Sequence, residues 1–124
     1  MIVKNIFQMQ RVPVVAHGGE ATIEFSRPFE THEFESSWRF VDYVVIPPGA
    51  SIGPHRHGLD EEMYFVMEGT ALMTTNDIEK RVIAGDLILN KPGWVHGLRN
   101  DGKENVKLLV IEVGLEPMSP AAER

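Results

Sequence analysis

The chain has no cysteine among its 124 residues, so disulfides and thiolate ligands are both excluded, and any bound metal must rely on nitrogen and oxygen donors. It also lacks an apolar run of the roughly 20 residues that cross a membrane as a helix. Its start, Met1-Ile2-Val3-Lys4-Asn5-Ile6-Phe7, has no apolar core of the kind a secretory signal needs, so the cytoplasm is the expected location. The 12 Lys and Arg are outnumbered by 18 Asp and Glu, for a net charge of -6, and form no cluster. Phosphate binding depends on concentrated positive charge, so a nucleic-acid partner is not expected. Neither a sustained helical period nor an internal repeat is present. A hydrophobic content of 43% at a length near the commonest domain size predicts one domain over residues 1–124, built on a single core.

Short strand-like segments recur along that length with turn signals between them. Residues 1–20 read as an N-terminal arm, where Val12-Pro13-Val14-Val15 can form at most an edge strand because proline cannot donate to a ladder. Ala21 to Ser26 alternates with period two, and residues 27–37 read as an acidic loop with two phenylalanines, suited to a flap or a strap over a neighbouring subunit. Trp38–Ile46, Met63–Met67, Thr70–Thr75, Ile78–Ile83, Leu87–Leu89, Trp94–Arg99 and Val106–Val113 read as strands, each stopped by a turn such as Pro47-Pro48-Gly49 or Asn76-Asp77. About residues 115–124 read as a tail. The chain is therefore expected to be all-β, a sandwich or a barrel.

The chemistry concentrates between Pro47 and Glu62, where His55 and His57 precede Glu61 and Glu62. Imidazole nitrogen with carboxylate oxygen suits zinc and the middle transition metals better than magnesium or calcium. Residues i and i+2 of a strand share a face, so His55 and His57 can both aim inward while Arg56 points away. Glu62 has the opposite parity and rejoins that face only if Gly58-Leu59-Asp60 turns or bulges. The other histidine in a Gly/Pro frame is His96, in Lys91-Pro92-Gly93-Trp94-Val95-His96; His17 and His32 have none and read as exposed loop residues. Asp86 reads as a turn residue.

With their glycines, these stretches become Gly49-x5-His55-x-His57-x4-Glu62-x6-Gly69 and Gly85-x7-Gly93-x2-His96-x3-Asn100, together about a third of the chain. Both resemble the paired motifs of the cupin superfamily. That resemblance implies a double-stranded β-helix, or jelly-roll, barrel of the cupin type, holding one divalent ion (Fe, Mn, Zn or Ni) by His55, His57, Glu62 and His96. Glu61 competes for the acid's place, but Glu62 sits at the family's distance from Gly69. The second motif departs from the family pattern at Lys91, where a proline is usual. Tyr64, Trp94, Asn100, Glu61, Arg39 and Tyr43 are candidates to touch the substrate or support the ligands, against the alternatives of core packing or a solvated face. The implied function is that of a small metal-dependent enzyme acting on a small organic molecule, as a dioxygenase or a non-redox isomerase or lyase. The alternative is a non-catalytic metal- or ligand-binding module. A homodimer is expected, because the outward positions Met63, Phe65 and Met67 and the arm offer surface that a small barrel leaves uncovered.

Overall fold

In a computed structural model, which describes residues 1–115, the backbone forms ten strands and one 3-10 turn. They are β1 (Val12–Val14), β2 (Ile23–Phe29), η1 (Thr31–Glu33), β3 (Trp38–Ile46), β4 (Ser51–Arg56), β5 (Asp60–Glu68), β6 (Thr70–Thr75), β7 (Ile78–Ile83), β8 (Leu87–Asn90), β9 (Val95–Arg99) and β10 (Val106–Gly114). The expected C-terminal tail lies, beyond Leu115, outside the described residues. Among the described residues no helix is long and apolar enough to cross a membrane.

Every pairing is antiparallel. One sheet has the order β1-β2-β3-β10-β5-β8 and the other β4-β9-β6-β7, so the fold is all-β and the two sheets close into a jelly-roll barrel. Period-two burial fixes which residues face the interior. On β10 the buried positions are Val106, Leu108, Val110, Glu112 and Gly114, and on β5 they are Glu62, Tyr64 and Val66. Ile46, Val66, Val106 and Leu108 are fully shielded, and among the described residues the apolar core draws on strands of both sheets, with Ala50 from the turn between β3 and β4. Turn chemistry closes the hairpins: Asn76 and Asp77, at φ 47 and 68, make the two-residue link between β6 and β7.

The region expected to be a loop from residue 27 starts later. β2 runs on to Phe29, with its register against β3 shifting between Ser26 and Phe29, and this irregularity is where Pro28 is accommodated. The following residues fold into η1, tied back by Lys4 to Glu33 at 2.5 Å and by the Thr31 hydroxyl donating to Arg39 O at 2.6 Å. The arm has more structure than a peripheral segment. β1 is the edge strand that Pro13 predicts, and the Phe7 ring meets the Tyr43 ring edge-on at 5.9 Å on the outer face of β3. Beyond β1 the arm crosses β4, and the Gly53 amide donates to Ala16 O at 3.0 Å. A Cβ on Gly53 would run into the His17 carbonyl oxygen, and one on Gly19 into that of Ser51, so both glycines are needed for this backbone crossing.

Candidate metal centre

Four side chains from three places in the chain meet at one end of the barrel. His55 lies on β4 directly opposite His96 on β9, His57 follows the end of β4, and Glu62 points inward from β5. Glu62 rejoins the histidine face because the chain turns at Gly58-Leu59 and β5 starts at Asp60. The Glu62 Oε1 atom stands 3.0 Å from His96 Nε2, 3.5 Å from His57 Nε2 and 3.9 Å from His55 Nε2. His96 and Glu62 are almost wholly buried, at 1% and 4% exposure. Glu61, on the other face of β5, is half-buried and takes no part in this group.

The arrangement fits a divalent cation on its own chemistry. Two imidazoles are backed by oxygen atoms: His55 Nδ1 lies 2.8 Å from Gly53 O, and His57 Nδ1 lies 3.2 Å from Asp60 Oδ1 and 3.1 Å from Glu112 Oε1. A proton on His55 Nδ1 serves Gly53 O and leaves its Nε2 lone pair facing Glu62, whereas the two carboxylate oxygens beside His57 Nδ1 lie at ion-pair distance and accept no hydrogen bond from it. His57 Nε2 is buried without a hydrogen-bond partner, a costly state for a polar atom. Glu62 also sits directly across from Glu112 in the β5–β10 ladder, and opposed like charges destabilise a sheet. Metal bonds of about 2.0–2.2 Å to nitrogen and oxygen place neighbouring donors roughly 3–4 Å apart, matching the observed contacts.

Without a cation, protons carry the compensation. Burial alone would raise the Glu62 carboxyl, but contacts from His55, His57 and His96 hold it far below the usual carboxylate range. His57 is pushed up to about 9, first by the Glu62 carboxylate and further by the charges of Glu112 and Asp60. Glu112 is pushed up to about 8, by burial and then by the charges of Glu62 and Asp60. Burial, then Glu62, keep the Tyr64 phenol well above its ordinary range, so it stays a hydrogen-bond donor.

The other candidates separate. Tyr64 is buried beside the group, its ring edge-on to His96 at 5.7 Å. Asn100 is fully buried but works elsewhere: its Nδ2 donates to Ile46 O at 2.9 Å and Glu104 O at 2.8 Å, and its Oδ1 accepts from Gly102, pinning the loop before β10. Trp94 is 38% exposed and lines a different groove, with Met73, Ile78 and Leu87. Arg39 and Tyr43 lie on the outward parity of β3. Phe40, Asp42 and Val44 face the cavity instead.

That cavity, about 450 Å³, opens on His55, His57, Glu62 and Tyr64. Four of its polar residues, His17, Arg27, Asp42 and Glu112, were not singled out from sequence. His17 stacks flat on His55, with centroids 3.6 Å apart and planes at 8°; burial and the neighbouring His55 lower its pKa. Exposed as expected of a loop histidine, it nevertheless stands at the mouth of the site. Glu112 was hidden within the β10 run, where the usable signal was an acid in phase with Val106, Leu108 and Val110. Asp42, which accepts from Arg27 at 2.7 and 3.0 Å, carried the same kind of signal, an acid in phase with Val44 and Ile46.

Comparison with known proteins agrees with this geometry. The oxalate-binding protein of Thermotoga maritima is 24% identical over 94 residues, covering 76% of this chain and 78% of that protein. A crystal structure of a predicted oxalate decarboxylase from Thermotoga maritima superposes with a TM-score of 0.89 at 22% identity, over 92% of this chain and all of the other. The polyketide cyclase RemF of Streptomyces resistomycificus superposes with a TM-score of 0.75 at 18% identity, over 96% and 82% of the two chains. At these identities the structural likenesses speak for the fold alone. The Cupin domain family pattern matches residues 42–112, more than half the chain and a span that includes all four donors, and the chain therefore belongs to the cupin family.

Proposed function

We propose that this cupin is a metal-dependent enzyme that binds a small organic molecule at a divalent ion held by His55, His57, Glu62 and His96, acting as a dioxygenase or as a non-redox isomerase or lyase. The observation that carries this reading is the cavity of about 450 Å³ that reaches the donor group. Among the described residues the group comprises those four side chains and no fifth; an octahedral ion held by them would keep two positions for a ligand, whereas a tetrahedral one would be closed in by protein. A bound ion there would supply a Lewis acid to polarise a ligand oxygen, or a redox partner if it is iron or manganese.

The chain's own residues set the conditions for that chemistry. Gly53 O holds His55 in one tautomer and orientation, and the Asp60 and Glu112 carboxyls flank His57 Nδ1 at 3.2 and 3.1 Å. Tyr64, kept protonated by its burial, presents a donor beside Glu62. Apolar walls from β2, β3 and β10 limit water at the donors, which strengthens every electrostatic contact there. The name of the Thermotoga maritima oxalate-binding relative supports a second reading, a module that binds its ligand without turnover.

The two readings part in one experiment. Protein purified anaerobically and analysed for metal is screened by oxygen uptake and product analysis against small diols, keto acids and catechols. Turnover abolished by His96→Ala supports the enzyme; saturable metal-dependent binding with no product supports the module. Screens that show neither, with the metal in place, contradict both.

A further inference from the structure

The cavity walls say what kind of ligand the site takes. Their chemistry is mostly apolar, with Val14 and Val15 from the arm, Phe25 from β2, Phe40 and Val44 from β3, and Val110 from β10. At about 450 Å³ the space falls within the roughly 300–1,000 Å³ typical of pockets for drug-sized ligands. A two-carbon diacid would reach the donors and leave most of this wall facing water.

The charges in the wall are already matched. Arg27 gives Nε to one Asp42 oxygen at 2.7 Å and a terminal nitrogen to the other at 3.0 Å, while its guanidinium lies over the Phe40 ring at 4.1 Å. This bidentate pairing commits Arg27, the one Lys or Arg of the lining among the described residues, to a protein carboxylate. A second ligand carboxylate would have to compete with Asp42 for it. Negative charge is therefore tolerated at the donor end alone, where the ion and three imidazoles would receive it.

We propose that the ligand is an amphipathic chelator: an oxygen-bearing head that binds the ion, joined to an uncharged apolar body of aromatic or branched-alkyl type that packs between the arm and β2, β3 and β10. This rests on the reading that the four donors hold a metal. The arm then shapes specificity, because Val14 and Val15 line the cavity together with β2 and β3.

Pyruvate and phenylpyruvate share one 2-oxo-acid head and differ in the body, so they isolate this claim. Protein loaded with Mn²⁺ is titrated calorimetrically with each of them. Burial of a phenyl group predicts binding of phenylpyruvate about 10- to 100-fold tighter than pyruvate. In Val15→Asp, a change at a position 54% exposed and so compatible with folding, the gap between the two keto acids should close. Equal affinities in the wild type, or a gap that survives Val15→Asp, would each overturn the inference. Failure to bind Mn²⁺ at all would instead bring down the metal reading beneath it.

Discussion

Glu62 and Glu112 face each other across β5 and β10 with three imidazoles at hand, and this pairing yields the predictions at the residue scale. Glu62→Gln should lose the metal, whereas Glu61→Gln, on the opposite face of the strand, should keep it; dialysis against a metal buffer with elemental analysis separates the two. Glu112→Ala removes a group that flanks His57 and should weaken metal binding by about 10- to 100-fold, with Glu112→Gln restoring part of the loss, as read by competition with a chelating dye.

The pH dependence has a definite sign. In the metal-free protein the raised His57 pKa contributes stability that is complete below 6.5 and lost as pH rises through about 9. The depressed Glu62 pKa contributes stability that is present above 4.5 and lost as pH falls below it. The raised Glu112 pKa contributes stability that is complete below 4.5 and lost as pH rises through about 8, so metal-free protein should reach its highest Tm near 4.5 and decline as pH rises from there. Metal affinity should instead climb from about 6.5 towards 9, because the ion must displace the His57 proton. Thermal scans with chelator, set beside metal titrations across the same pH range, test both. At this scale the sequence singled out the four side chains that the structure brings together, through motifs that resemble those of the cupins. It did not reveal Glu112 or Asp42, whose role arises when β10 and β3 are laid beside β5 and β2. The sequence left the inward face of β3 unassigned: Tyr43 is buried from the outside by the arm, while the charged Asp42 faces in against Arg27.

At the scale of elements, the strands from β3 onward were legible because turn residues stop them cleanly and their burial follows period two. The N-terminal third was less so. β2 passes through Pro28 by a register shift, and the arm's path over β4 depends on two backbones touching at Gly19 and Gly53, contacts that leave no periodic trace in sequence. Gly53→Ala tests that crossing. The added methyl meets the His17 carbonyl, so the arm must lift from β4 or β4 must bend away from β9. Overpacking of this kind costs about 1–3 kcal/mol. The expected result is a lower Tm together with weaker metal binding, since Gly53 O also orients His55; an unchanged Tm would show that the crossing is loose.

For the whole molecule, the outer face of the six-stranded sheet is the surface that needs explaining. Met63 and Phe65 of β5 and Leu109 and Ile111 of β10 remain only half-buried there, and on the neighbouring β8 Leu87 and Leu89 are 66% and 43% exposed. A second copy of the chain is the expected cover, so sedimentation at micromolar concentration should show a homodimer, and a monomer alone would contradict it. The account as a whole stands on the metal. Elemental analysis of wild type, His55→Ala and His96→Ala, purified side by side, tests it most directly. The account predicts one divalent ion per wild-type chain and none retained by either variant; tight stoichiometric metal in both variants would contradict it.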